Sequence, residues 1–231
     1  MRRLRCGVQK GRGKTVNYRI NYEIRGPLAF LSHLEIMRLW QRAMLRCHLP
    51  IAWSQGFNPR PKLSLGPARN VGVEGLSEYL DAEFSTDVKS AVLIEKLNGI
   101  LPDGVRVLKA REIPIGTKML EAVINEAVYK VTFLNGMPED AAEKVKALMD
   151  ADQCLYLRKS PKGEKEIDLR SYLLGIDLQG DTMFLSVKTG TSGSLRVAEL
   201  LTVLGYWDII KDIKIQRMGL FVTEGAKRFT P

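Results

Sequence analysis

An α+β fold made of tandem ferredoxin-like halves (βαββαβ) behind a basic, disordered N-terminal arm is predicted by three observations. Period-two and helix-period stretches alternate over residues 16–112 in the order βαββαβ. The same layout returns more loosely over 121–231, and residues 1–15 have almost nothing apolar to bury. The expected organisation is an arm at 1–15, a ferredoxin-like domain at 16–112 and a second one at 121–231.

The first strand is read over Val16–Glu23, where Tyr18, Ile20 and Tyr22 alternate with Arg19 and Asn21. Ser32-His33-Leu34-Glu35 is a capping box: the Ser32 hydroxyl accepts from the Glu35 N–H and the Glu35 carboxylate from the Ser32 N–H. Leu31 can then staple onto Ile36. A helix is predicted from His33 to Cys47, stopped at Leu49-Pro50 because the residue before a proline is pushed out of the helical region. At about 100° per residue, Ile36, Met37, Leu39, Trp40, Ala43, Met44 and Cys47 share one side. Glu35, Arg38, Arg42 and Arg46 share the other. Ile51–Trp53 with Lys62–Leu65 is read as a second strand and Tyr79–Phe84 as a third. Asp87–Leu97 has helical spacing, with Thr86 or Asp87 to cap it, and Pro102-Asp103-Gly104 turns the chain into a fourth strand at Val105–Lys109.

Residues 111–120 cross to the second half. Strands are expected there over Ala127–Leu134, Cys154–Arg158, Met183–Lys188 and Lys214–Val222, with a further extended piece between Ile167 and Leu178. One helix begins at Pro138, at home in a first turn, and runs to Met149. Another is capped by Ser194 and ends at Gly205, a left-handed cap.

The bulk properties exclude several classes. At 231 residues, 45% hydrophobic and 26% charged, the chain has the composition of an ordinary globular protein. No apolar run approaches the roughly 18 residues of a membrane span, and Met1-Arg-Arg-Leu-Arg-Cys6 lacks the apolar stretch of a secretory signal. The location expected is cytoplasmic. Three scattered cysteines, Cys6, Cys47 and Cys154, fit a reducing compartment and make no disulfide framework. Gly7 to Gly13 nearly imitates a phosphate-binding loop, but it has one residue too many and no strand before it, so nucleotide binding is excluded.

Charge placement points to function. Residues 1–70 hold fourteen Lys and Arg against Glu23 and Glu35, a net charge of +12, while residues 71–231 carry −3. One-sided charge attracts polyanions; the alternative is an arm and a solvated helix face that are merely basic. Arg38, Arg42 and Arg46 stand in a row at spacing four, repelling one another by tenths of a kcal/mol per pair with no acid to offset them. That fits an anionic partner as well as a solvated face. In Gly56-Phe57-Asn58-Pro59-Arg60-Pro61-Lys62, two prolines fix φ and a glycine permits a sharp turn, presenting Phe57, Arg60 and Lys62 on a stiff loop. Phe57 can stack on a base or enter a partner pocket. Arg69 extends the basic set, and Trp53 reads as core.

His33 is the one catalytic suspect. It falls within the apolar arc, and the positive end of the helix dipole disfavours a charged imidazole there. No acid or nucleophile stands at recognisable spacing, so a structural role is favoured. Cys47 and His48 point to different faces without a second ligand pair, so no metal is expected. Glu78 and Asp81 could bring two carboxylates to a site, although the start of a strand is more often structural.

The runs F-L-S-H-L-E-I-M-R (30–38), L-P-I-A-W-S-Q-G-F-N-P-R-P-K-L-S (49–64) and V-G-V-E-G-L-S-E-Y-L-D (71–81) resemble the radical SAM-linked family of bacterial proteins, a domain of unknown function, over roughly residues 18–85. The resemblance implies an accessory role beside a radical SAM enzyme with a cobalamin-type domain, to which the family is fused or beside which it is encoded, often near genes for ribosome and RNA processing. Glu35 stands where that family has Asp, and Arg60 where its loop often has His. A chemistry needing imidazole in the loop is therefore unsupported, whereas a basic role survives. The three cysteines are too scattered to hold a radical SAM cluster, and no cofactor is expected. Tandem ferredoxin-like architecture also resembles CRISPR repeat-processing endonucleases and some pseudouridine synthases, although fold alone does not give function.

Three functions follow. The first is an RNA-binding or substrate-presenting accessory module acting with the radical SAM enzyme, in which the arm, Arg38, Arg42, Arg46, Arg60, Lys62 and Arg69 hold phosphate and Phe57 stacks. The second is an interaction module for the radical SAM protein alone, and the third an RNA-processing or RNA-modifying enzyme using His33.

Overall fold

The computed structural model describes residues 15–160, 163–190, 193–225 and 227–231. All but the last residue of the expected basic arm lies outside the described residues. The N-terminal half runs β1 (Val16–Ile24), α1 (His33–Arg46), β2 (Leu63–Leu65), β3 (Glu74–Phe84), α2 (Ser90–Asn98) and β4 (Val105–Ile113). After the short α3 (Leu120–Val123) come β5 (Glu126–Phe133), α4 (Ala141–Asp150), β6 (Leu155–Ser160), β7 (Gly163–Asp168), β8 (Leu173–Gln179), β9 (Thr182–Lys188), α5 (Val197–Val203), β10 (Ile213–Glu224) and β11 (Lys227–Phe229).

The fold is α+β around one large mixed sheet, ordered β4-β1-β3-β10-β5-β9-β8, with β2 on β3 and β11 on β10. The pairings are antiparallel except β3 with β10, which run parallel through Gln216↔Glu74 and Arg217↔Gly75. The sheet is thus continuous across the boundary expected between the halves. β6 and β7 form a separate hairpin, so the Cys154–Arg158 strand exists but does not join the main sheet.

Alternation decides which face is covered. Val16, Tyr18, Ile20, Tyr22 and Ile24 of β1 and Leu80, Ala82 and Phe84 of β3 share one core with Ile36, Trp40 and Met44 of α1 and Leu93 and Leu97 of α2. Trp40 is fully buried and meets Tyr22 edge to face at 4.9 Å between ring centroids. A second core joins Tyr129, Val131 and Phe133 of β5 and Met183 and Leu185 of β9 to Val145 of α4 and Leu200 of α5. Cross-strand partners project to the same face. Tyr22 lies opposite Glu78, Glu78 pairs with Arg217, and Arg217 lies opposite Tyr129. Both cores therefore lie mainly on one face of the sheet and meet at Arg217 and Glu78.

Some local expectations are corrected. The Ile51–Trp53 strand is reduced to isolated bridges, Ile51↔Phe84 and Trp53↔Pro61, because the prolines beside it lack N–H donors. α2 starts at Ser90 after Lys89, with no side-chain cap; Asp87 instead accepts from the Tyr18 hydroxyl at 2.5 Å. Ser194 does not cap α5, whose N-cap is Arg196, while Gly205 does take the left-handed conformation, with φ +79°. α4 begins at Ala141 rather than Pro138, whose carbonyl accepts from the Ala141 N–H in the preceding turn.

The seam gives a stability test. Arg217 and Glu78 are both buried, at 1% and 4% exposure, and removing one partner of a buried pair strands the other's charge at a cost of about 3–5 kcal/mol. Glu78→Gln is expected to lower the unfolding free energy read from urea titration by that amount, and the double change Glu78→Leu/Arg217→Met to recover most of it. Equal losses in both proteins would show that the pair's charge is not what holds the seam.

Candidate nucleic-acid interface

The helix that carries the arginine row is fixed by its own start. Ser32 N–H donates to Glu35 Oε2 at 2.8 Å, and Glu35 N–H to Ser32 Oγ at 3.3 Å, completing the capping box. Hydrogen bonds from the Ser32 side chain and backbone, with a smaller contribution from Arg38, hold the Glu35 carboxyl below the usual range. Ile36, Trp40, Ala43 and Met44 are buried, and this orients Arg38, Arg42 and Arg46 outward, all exposed. None of the three forms an ion pair among the described residues.

Seven residues beyond Arg46 the chain enters the proline loop. The Trp53↔Pro61 bridge closes it. Ser54 N–H donates to the Arg60 carbonyl at 2.8 Å, Arg60 N–H to Ser54 Oγ at 2.9 Å, and Lys62 N–H to the Ala52 carbonyl at 2.8 Å. Gly56 turns at φ +131°, a conformation that favours glycine. Phe57 at the tip is completely exposed, at 106% of its reference area, and Arg60, three residues on in the same loop, is exposed as well. Trp53, expected in the core, is 44% exposed, because the loop lifts away from the sheet instead of continuing as a strand.

Two of the expected phosphate ligands are already engaged. Lys62 Nζ is paired with Glu83 at 2.8 Å. Arg69 does not reach the surface: it is 6% exposed, and its Nη1 donates to the carbonyls of Ala29 at 2.8 Å, Asn70 at 3.2 Å and Val73. Its Nε and Nη2 are buried with no hydrogen-bond partner. Arg69 therefore belongs to the seam, not to a phosphate-binding face. Arg217 joins it there, donating to both oxygens of Glu78 and to the carbonyls of Pro67 at 2.9 Å and Ala68 at 3.1 Å. Asp81 in turn holds Arg19 through two bonds of 2.8 Å. Both carboxylates of the Glu78–Asp81 run are thus committed to arginines.

His33 is half-buried at the start of α1, with Glu121, Arg217, Glu78 and Arg69 as its charged surroundings. Burial is the largest influence on its imidazole and pushes it below the ordinary value; Glu121 opposes the shift and Arg217 assists it. Among the described residues no three His, Cys, Asp or Glu side chains are grouped to hold a metal ion, and no helix is long and apolar enough to cross a membrane.

Sequence reasoning missed a cleft at the edge strand β4. It measures about 500 Å³, and its lining includes Arg19, Asn21, Lys109, Arg111 and Pro231 together with Ile94 of α2. Arg111 Nη2 donates to the Pro231 carbonyl at 2.5 Å. The polar positions of β1 and β4, Arg19, Asn21, Lys109 and Arg111, carried the signal, since they alternate with the residues that pack on the core.

A profile of a bacterial family, described as "Uncharacterized protein conserved in bacteria (DUF2344)", matches residues 17–197. No curated protein matches the chain. Among solved structures, the archaeal box H/ACA sRNP Nop10–Cbf5 complex aligns at 12% identity and TM-score 0.38, over 87% of this chain and 46% of that one. A Cbf5–Nop10–Gar1 complex aligns at 11% identity and TM-score 0.42, over 88% and 48%. An unknown protein from Galdieria sulphuraria aligns at 12% identity and TM-score 0.29, over 89% and 98%. The chain spans about half the length of the first two.

The position of His33 makes stability pH-dependent. Its folded-state pKa lies below the ordinary 6.5, so as pH falls the unfolded chain takes up this proton first. The stability it contributes is complete above that value and is lost as pH falls through it toward the folded value. The urea midpoint is expected to drop between about pH 7.5 and about pH 5.5, and His33→Asn to flatten part of that drop. Parallel curves for the two proteins would assign the decline to other groups.

Proposed function

We infer that this chain, which belongs to the bacterial family DUF2344 of uncharacterized proteins, is an RNA-binding module that presents RNA without chemistry of its own. One observation carries the reading: how the cations of residues 15–70 are distributed. Arg19, Arg25 and Lys62 are each paired with an acid, and Arg69 is buried on carbonyls. Arg38, Arg42, Arg46 and Arg60 are exposed and in no ion pair with another described residue. Four unneutralised guanidiniums in one half, three of them mutually repelling, make a surface whose natural complement is a row of phosphates. Phe57 adds an aromatic face for an unpaired base.

The strand order supports a ferredoxin-like reading of each half. β4-β1-β3-β2 and β10-β5-β9-β8 repeat one permutation, so we read two such units fused edge to edge, with β6 and β7 inserted in the second. We further propose that the module works beside a radical SAM enzyme, a partnership that rests on the resemblance over residues 18–85 alone. Complex formation with that enzyme in nuclease-treated buffer at about 150 mM salt would support it, and its absence there would remove it.

The RNA reading is tested by fluorescence anisotropy from about 50 to about 200 mM salt. Four released counterions on a single strand give a log-log slope near −3, a loss of roughly 50-fold in affinity over that range. Arg38→Glu/Arg42→Glu/Arg46→Glu is expected to abolish most of the slope. Binding no stronger than background in the wild type would end the nucleic-acid reading.

A further inference from the structure

Alongside the arginine row, between α1 and the turn after α2, runs a groove of about 290 Å³. Leu39, Ala43, Ile100 and Leu101 give it an apolar lining, and Arg42 and Arg46 belong to the same wall. Leu39, Ile100 and Leu101 are half-buried, so their outer surfaces stay available after packing on the core beneath. Arg42 and Arg46 are one helical turn apart, about 6 Å along the axis at 1.5 Å per residue. Apolar surface and unpaired cations therefore alternate within the size of one nucleotide.

We propose that this groove receives an unpaired nucleobase while Arg42 and Arg46 hold the phosphates on either side of it, so that the RNA bound is single-stranded or looped out. The proposal rests on the RNA-binding reading and narrows it. A nucleobase offers two flat apolar faces and carries its own phosphate beside it, which matches an apolar lining edged by cations. In an A-form duplex the bases are stacked inward and side chains meet mainly phosphates and 2′-hydroxyls. A duplex could use the arginines but not the groove. An acidic amphipathic peptide could use both; the fully exposed Phe57 and the exposed Arg60 of the same loop, a stacking face and a further cation, favour the nucleic acid.

The test uses the full chain and RNA anisotropy with a ten-nucleotide single strand, a blunt duplex containing the same strand, and a Glu-rich amphipathic helical peptide as competitor. Leu101→Gln and Ile100→Thr keep the net charge while making the lining polar, and their urea midpoints report whether they remain folded. The wild type is expected to prefer the single strand by roughly tenfold, the scale of one stacked base. Either folded variant is expected to lose that preference while keeping its salt slope. Equal affinity of the wild type for duplex and single strand, or folded variants as selective as the wild type, would overturn the groove assignment and leave the phosphate-binding reading intact. No binding to either RNA would overturn both. Peptide binding that the variants lose while RNA binding persists would reassign the groove to a protein partner.

Discussion

Arg217 and Glu78 meet where two hydrophobic cores share one face of one sheet. The backbone contact that joins β3 to β10 is brief, two residue pairs in parallel, and a short parallel pairing is a weak joint. The side chains reinforce it: a buried guanidinium clasps both oxygens of a buried carboxylate and takes two further carbonyls from Pro67 and Ala68. Desolvating both charges is expensive, and only such complete satisfaction of donors and acceptors offsets it. Gly75 follows from the same clasp, because a Cβ there would stand 2.6 Å from the Glu78 side chain. Arg69, one residue beyond Ala68, extends the constraint by holding the carbonyls of Ala29 and Val73. The chain that leads into Ser32 and α1 is thereby tied to the seam.

The fold also sorts its cations. Where an arginine or lysine lies beside a strand carboxylate it is paired, as Arg19 is with Asp81 in a part-buried bridge and Lys62 with Glu83 at the surface. On α1 the only acid is Glu35, and the capping box has claimed it. The row behind it keeps its charge uncompensated because the helix needs its one carboxylate at its N-terminus, where the dipole also favours it. Local helix chemistry and long-range field thus have one cause.

What was legible in the sequence was what is decided locally. Capping box, apolar arc and proline stop each depend on residues within a few positions of one another, and α1 runs His33–Arg46 as its pattern dictates. Phe57 and Arg60 were legible too, since prolines and a glycine fix a loop without help from elsewhere. Arg69 was not, because a surface cation and a buried one look alike until the carbonyls that receive it are known, and two of those come from residues 29 and 73. The role of Glu78 depended on a partner 139 residues away. The groove beside Arg42 and Arg46 needed Ile100 and Leu101, brought from the far end of α2. Composition could place the charge in the first third of the chain, but only packing could decide which charges remain.

The size of the surviving set limits what it can bind. Arg38 and Arg46 are eight residues apart on a helix, about 12 Å along its axis. Trp53 follows Arg46 by seven residues, a reach of at most about 25 Å if fully extended, and its bridge to Pro61 returns Arg60 to the base of the loop. On the RNA-binding reading proposed above, four guanidiniums and one bare aromatic within that span would answer to a short stretch of nucleotides. The loop that carries Phe57 is stiffened by prolines and three backbone-donated bonds, so little conformational freedom is lost when it engages. On the same reading, such a surface would gain affinity from charge and selectivity from shape. Of the two, only the shape can distinguish an unpaired base from a paired one.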